Sequence, residues 1–389
     1  MRKSQIISLF ICNLVPYTVG NGLIPLLPIY AKQLGVGSAV AGYYLAFIYI
    51  AIAIGTVSAG WISDKFHRRK NPIIIAGLAS IPIAWLIGRA DNIWSLSVLT
   101  AMMWFCGGLG LGLIGILAGL SAGEDERGKI FGILSVAFGL GALIGGLTIG
   151  FIVDLWGFPT MFTAVACFII LWPLSGTFLT EKGVERDKEV DRSVKESSGL
   201  GRNYYLLFCA SLIAAPSGFV ILLGRSLLME DLKFRAFEIS ITGAVSGIVA
   251  MSLILLMGWL SDRIGRKIFL YLGYLACIIS LAILAVSVSL WHFIIVLALQ
   301  AIFMGVNTSV GNALVTDLVP QESLGRGLAW YGATIWIGGI FGFAGAGYAL
   351  QNFGTLPTFI IGMCLPLIAM VILFFVRSGV RGRVRIAPS

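Results

Sequence analysis

Charge is scarce in this sequence: Asp, Glu, Lys and Arg make up only 12% of its 389 residues, too few to cover a soluble globule of that size. Histidine is nearly absent, with only His67 and His292, which excludes a His-rich metal centre. The six cysteines, Cys12, Cys106, Cys167, Cys209, Cys277 and Cys364, fall one by one in separate apolar runs without CxxC spacing, so they read as small buried hydrophobes. There is no Walker loop. Gly110-Leu-Gly112-Leu-Ile-Gly115 satisfies the dinucleotide spacing but lies inside an apolar run and follows no strand. No cofactor is therefore expected. A membrane enzyme would gather His, Asp, Glu or a nucleophile at one depth, and no such cluster occurs, so the chain does not read as an enzyme.

What the sequence has is apolar length. Hydrophobic residues reach 58% and the mean hydropathy is +0.96, with runs of about 20 residues, the length a helix needs to cross a bilayer. Segments such as Ile48 to Ile62 and Phe359 to Val376 lack the alternation of a membrane barrel strand. The reading is an all-α membrane protein. Twelve spans are predicted, near 4–30, 38–62, 72–89, 94–121, 128–155 and 158–180, then 203–229, 237–261, 268–289, 291–316, 323–351 and 357–376. Met1, Arg2 and Lys3 precede a run too long for a signal core, so the first run is expected to be a span.

Basic residues set the orientation. With a cytoplasmic N-terminus, 22 Lys and Arg fall on the cytoplasmic side and five, Lys32, Arg89, Arg225, Lys233 and Arg235, on the other. Both termini are thus expected inside, in the cell's inner (plasma) membrane. The formal charge of +9 is explained by this topology and by anionic lipid, which gives no reason to invoke nucleic acid. From Glu181 to Arg202, six acids and six bases alternate with Ser and Gly, the composition of a solvated linker. It separates a first half, residues 1–180, from a second half, residues 203–376, and a basic cytoplasmic tail occupies 377–389.

The halves echo one another. Gly60-Trp-Ile-Ser-Asp64-Lys-Phe-His67-Arg68-Arg69-Lys70 closes the second span, and Gly258-Trp-Leu-Ser-Asp262-Arg-Ile-Gly265-Arg266-Lys267 closes the eighth. Arg127-Gly128 pairs with Arg326-Gly327, and Trp94 with Trp291, at offsets of 197 to 199 residues. Internal repetition of this kind points to a site between repeats.

The Gly-x-x-x-Asp-Arg/Lys-x-Gly-Arg-Arg/Lys loop resembles the signature of the major facilitator superfamily. The resemblance covers essentially the whole chain. It implies two pseudo-symmetric six-helix bundles rocking about a midplane substrate site lined by spans 1, 4, 7 and 10. It also implies a latch between the second and eleventh spans, assigned to Gly60, Asp64, Arg68 and Arg69, with Gly258, Asp262, Gly265, Arg266 and Lys267 as the second copy. His67 stands where the signature has glycine. Independently, the glycines permit close helix approach and the acids can meet the positive end of a helix dipole. The arginine and the Gly-Pro pair of the family's proton-coupled drug antiporters are replaced here by Trp104 and by Gly141-Ala142 with Gly145-Gly146.

For the cavity, Asn13, Tyr17 and Asn21 fall at i, i+4 and i+8 on one face of the first span, facing either the cavity or another helix. Asn307, Thr308 and Asn312 form a matching patch in the tenth span, and Trp104 offers a ring for stacking. Arg225 either draws in an anion or snorkels to the headgroups. Asp154, toward the end of the fifth span, is the candidate coupling residue. The expected partners are a small-molecule substrate, the bilayer and a coupling proton or other ion, with a monomer as the unit. Efflux of amphipathic drugs or metabolites leads, because the predicted cavity is apolar, aromatic and almost uncharged. A small-organic-anion carrier using Arg225 and a non-transporting sensor are the alternatives.

Overall fold

The computed structural model describes residues 3–66, 68–121, 127–181 and 199–376. Among these residues the secondary structure is helical, with no strand. The helices of the first part are α1 (Lys3–Leu23), α2 (Leu27–Gln33), α3 (Ser38–Phe66), α4 (Lys70–Ile87), α5 (Ile93–Ser121), α6 (Arg127–Ile169) and α7 (Leu171–Thr177). Those of the second are α8 (Arg202–Asp231), α9 (Ala236–Ile264), α10 (Arg266–Ala285), α11 (Leu290–Leu318), α12 (Leu324–Phe353) and α13 (Thr355–Phe374). Most of the linker, 182–198, together with His67 and the tail, 377–389, lies outside the described residues, as do the side chains at Gly258 and Asp262.

Ten described stretches are long and apolar enough to cross a bilayer, Ile130–Thr177 among them, and Ala236–Val249 adds a shorter apolar helix. Large apolar side chains stand on the surface, for example Val57 at 75% exposure and Trp291 at 73%, as a surface solvated by acyl chains rather than water requires. The chain is a multi-pass membrane protein.

Proline and glycine shift some predicted boundaries. The first run does not continue as one helix to residue 30: α1 stops at Leu23 and α2 restarts at Leu27. Pro25 has no N–H for the Asn21 carbonyl, and Pro28 sits in the first turn of α2, where a missing N–H costs little. Between the fifth and sixth runs, by contrast, the break falls where it is expected: Gly157, with φ 75° and ψ 175°, interrupts α6 between the spans predicted to end at 155 and begin at 158. Near its end α6 gives way to α7, where Pro173 cannot donate to Ile169.

The sequence repeat has a physical counterpart. Lys70 donates through Nζ to the Thr177 carbonyl at 2.5 Å, tying the start of α4 to the end of α7. Lys267 does the same to the Phe374 carbonyl at 2.9 Å, tying α10 to α13. Both members of the second pair stand 197 residues after those of the first. Gly354, 197 residues after Gly157, has φ 82° and starts α13. A Cβ at Gly145 would come within 3.0 Å of the Gly22 nitrogen, and one at Gly342 within 2.7 Å of the Phe219 Cβ. Thus α6 lies against α1 as α12 lies against α8.

Across the linker, α3 packs on α12 and α6 on α9. The end at which α1 begins and α13 finishes is the terminal end; the opposite end is the distal one.

Candidate substrate cavity and gates

A cavity of roughly 380 Å³ opens among α1, α3, α4, α5, α6 and α7, with Trp336 of α12 the one described lining residue from beyond the linker. Three sequence-predicted residues line it: Tyr17, Asn21 and Trp104. Tyr17 meets Phe138 of α6 edge to face at 5.2 Å. Tyr49 of α3 closes the wall toward α12, its ring 5.1 Å from those of Phe219 and Phe343 and 6.1 Å from Trp336. Gly339 of α12 makes this possible, because any Cβ there would overlap the Tyr49 ring. Trp172 of α7 forms another wall and is seated on Gly110 of α5, where a Cβ would overlap the indole. Among the described residues, the lining includes no Asp, Glu, Lys, Arg or His.

The rest of the polar stripe of α1 diverges from Tyr17 and Asn21. Asn13 is 7% exposed and donates through Nδ2 to the Leu134 carbonyl of α6 at 3.0 Å, so it joins helices and does not line the cavity. In α11, Asn307 accepts from Ser211 through Oδ1 at 3.3 Å and donates to the Phe303 carbonyl at 3.1 Å. Thr308 donates to the Met304 carbonyl at 2.9 Å and Asn312 to the Thr308 carbonyl at 2.6 Å. None of the three lines the cavity.

Arg225 also lies outside it. The guanidinium is 1% exposed and donates to the Ile239 carbonyl at 3.2 Å, to Thr242 and to Ser226. It joins α8 to α9, and its Nε has no partner among the described residues.

The distal end is closed across the linker. A Cβ at Gly150 would lie 2.5 Å from the Ala236 carbonyl oxygen, and one at Gly347 2.6 Å from that of Ser38; only bare backbone fits there. Asp154, its side chain 12% exposed, accepts the backbone N–H of Ala236 at 2.9 Å and of Phe237 at 3.0 Å, with the Arg235 Nε 3.4 Å away. The α9 N-terminus thus presents its positive end to a carboxylate from the other side of the linker. Lys32 pairs with Asp231 at 3.0 Å and with Glu230. Partial burial works against the Lys32 ammonium, but hydrogen bonds and charge from Glu230 and Asp231 outweigh it and raise its pKa above the ordinary lysine value.

At the terminal end the signature residues behave differently. Gly60 faces open space, and Asp64 and Arg68 are exposed. Arg69 donates through Nε to Ser63 at 2.8 Å. In the second copy Gly265 takes φ 119° between α9 and α10, Arg266 pairs with Asp317 at 2.8 Å, and Lys267 also reaches the Val376 carbonyl at 2.8 Å. These bases join neighbouring helices on their own side of the linker.

Tyr49, Phe138, Trp172 and Trp336 were missed by sequence reasoning, which looked for polar side chains in apolar runs. Aromatic residues at helical spacing are ordinary core, and only Gly110 opposite Trp172 carried a signal.

Comparisons with known proteins agree with this architecture. The profile of the Major Facilitator Superfamily matches residues 9–223 and again 206–388. The multi-drug resistance efflux pump PmrA of Streptococcus pneumoniae is 27% identical over 352 residues, 85% of either chain. The multidrug resistance protein MdtG of Klebsiella pneumoniae is 29% identical over 272 residues, 67% of this chain and 66% of its own. Among solved structures, a mutant of the nucleoside transporter NupG superposes with a TM-score of 0.79 at 15% identity, covering 95% of this chain and 99% of its own. A bacterial homologue of the human lysosomal transporter Spinster gives 0.77 at 13% identity over 97% of both chains.

Proposed function

The chain belongs to the major facilitator superfamily and is a transporter, not an enzyme, and from that premise we propose that it exports amphipathic drugs or metabolites by alternating access. The carrying observation is the uncharged, ring-walled cavity beside helices whose bare-backbone contacts across the linker close the distal end. Two relatives, an efflux pump and a multidrug resistance protein, favour the same direction and cargo.

The working unit is a monomer of 12 spans in two six-helix bundles, residues 1–180 and 203–376, joined by the linker 181–202 and followed by the basic tail 377–389. The contacts that recur at an offset of 197 residues support this arrangement. The concentration of Lys and Arg supports both termini on the cytoplasmic side of the plasma membrane, the terminal end facing in. The described conformation is then the inward-facing one. Asp154 is the residue through which a coupling ion would act, since its carboxylate bridges the halves where the distal end opens. Gly60, Asp64, Arg68 and Arg69 form the latch of the outward-facing state and are disengaged here.

The test is accumulation of lipophilic dyes and drugs in cells lacking their own pumps. Expression should lower accumulation, and Tyr17→Ala or Trp104→Ala should restore it. A thermal-shift screen of purified protein provides a second readout, because a ligand at a hundred times its dissociation constant stabilises the native state by about 2.7 kcal/mol. Stabilisation by organic anions that disappears in Arg225→Ala would replace this reading with an anion carrier.

A further inference from the structure

We propose that Gln351 is a second gating residue of the distal end, the counterpart of Asp154, and that this end opens only when both of their helix caps are released; this rests on the alternating-access reading above. Gln351 stands 197 residues after Asp154. Its Oε1 accepts the backbone N–H of Ala39 in α3 at 2.9 Å, as the Asp154 carboxylate accepts those of Ala236 and Phe237 in α9. Ala236 in turn stands 197 residues after Ala39. Each half therefore reaches across the linker and caps the start of a helix in the other.

The first N–H groups of a helix have no partner inside it. In α3 the backbone ladder begins at Ala41, which donates to the Gly37 carbonyl at 3.1 Å, and in α9 at Ile239, which donates to the Arg235 carbonyl at 3.1 Å. Ala39, and Ala236 with Phe237, lie just ahead of these residues, so a side chain from the other half supplies the acceptor that each lacks. Gly37 leaves room for the Gln351 amide, because a Cβ there would lie 2.7 Å from Oε1. One turn before each capping residue stands a glycine of the bare-backbone contacts, Gly150 before Asp154 and Gly347 before Gln351. Lys32 and its partner Glu230 are likewise 198 residues apart. Equivalent positions of the two halves thus meet repeatedly at this end, which an incidental surface contact would not do.

The two caps differ in charge. A carboxylate at a helix N-terminus gains from the dipole and from charge-assisted hydrogen bonds, whereas Gln351 offers a neutral acceptor at an exposed position. Closure is shared unequally, with the stronger cap on α9. Alternating access moves each half as a body, so the halves cannot part at one seam and stay closed at the other. Loosening the cap on α3 must therefore expose the seam between α6 and α9.

The experiment labels a reporter on that second seam, Ser240→Cys, with a membrane-impermeant thiol reagent, and subtracts the signal of the protein without the reporter. Ser240 is fully buried on α9 against Gly150, and its hydroxyl has no partner among the described residues, so the thiol costs no hydrogen bond. Gln351→Ala, and Gly37→Ala, which displaces the amide without altering it, should each raise the labelling rate about threefold to tenfold. Gln351→Glu, which brings a charge to the α3 N-terminus, should lower it about twofold; in an Asp154→Asn background it should restore the rate toward that of the parent. Opposite signs for the Ala and Glu variants separate gating from support, because loss of a merely structural contact would raise labelling in both. If Ser240→Cys does not reach the membrane, Ala244→Cys, 2% exposed and one turn further along α9, takes its place. Unchanged labelling in Gln351→Ala and Gly37→Ala, or a rise in Gln351→Glu, overturns the proposal and leaves drug export, read by accumulation, standing. Labelling that responds as expected in cells that export no drug supports the gate and removes only the cargo reading.

Discussion

At the distal end α3 and α12 touch through Gly42 and Gly347, and a Cβ on either would lie 2.7 Å from the other's Cα; near the opposite end of α3, Gly60 faces open space. The same helix is locked to α12 at one end, while at the other it keeps its packing on α5, where Gly112 leaves room for Ala59. Charges follow the pattern: Asp154 and Lys32 are engaged across the linker, whereas Asp64 is exposed and pairs with no described residue. Closure here depends first on backbone shape, then on buried electrostatics, and least on surface pairs, and each level can be broken separately.

The largest effect is expected from Gly347→Leu. A side chain there meets the Ser38 carbonyl and Gly42, and overpacking of this kind costs about 1–3 kcal/mol, enough to shift the balance of open and closed forms roughly tenfold per 1.4 kcal/mol. Transport should be nearly lost, and a cysteine introduced at Ala39, which is buried at this end of α3, should become reactive to a membrane-impermeant thiol reagent. Retained transport with an unreactive cysteine would mean the helices do not need this contact.

Asp154→Asn should come next. Removing the charge while preserving shape weakens the hydrogen bonds to the α9 N-terminus, for which about 1–2 kcal/mol is reasonable. The distal cysteine should react several-fold faster than in the parent, with transport reduced. Lys32→Ala should do less, because pairs this close to solvent contribute roughly 0–1 kcal/mol; a shift under about twofold in the same labelling assay is expected. Smallest is Asp64→Asn, which should leave the melting temperature of this conformation within about 1 °C while slowing transport. A drop of several degrees would show that the latch is engaged in both states.

Much of the fold was legible because lipid leaves so few solutions. Long apolar runs dictated helices, and the two copies of the Gly-Trp-x-Ser-Asp segment announced a repeat that the Lys70–Thr177 and Lys267–Phe374 bonds reproduce. Helix interruptions within runs were less visible, since Pro25 and Pro173 sit inside uniformly apolar stretches. The candidate site was half legible. Period 3.6 put Asn13, Tyr17 and Asn21 on one face, but it could not say where that face passes from helix contact to cavity, a boundary set by the position of Leu134 on α6. Trp172 was invisible for the opposite reason: an indole in an apolar run looks like packing until its ring is found at the cavity wall, seated on Gly110.

The reversals at Gly157 and Gly354 also constrain how the distal face can be handled by proteases, antibodies and engineers. Between α12 and α13 the chain turns at Gly354 alone, and within α6 at Gly157 alone. Neither corner offers an extended segment for a protease to grip or an antibody to recognise. An epitope inserted at either would have to unwind a helix first, so a distal-side tag belongs between α4 and α5, where Gly88 to Asn92 are non-helical and Asp91 and Asn92 are exposed.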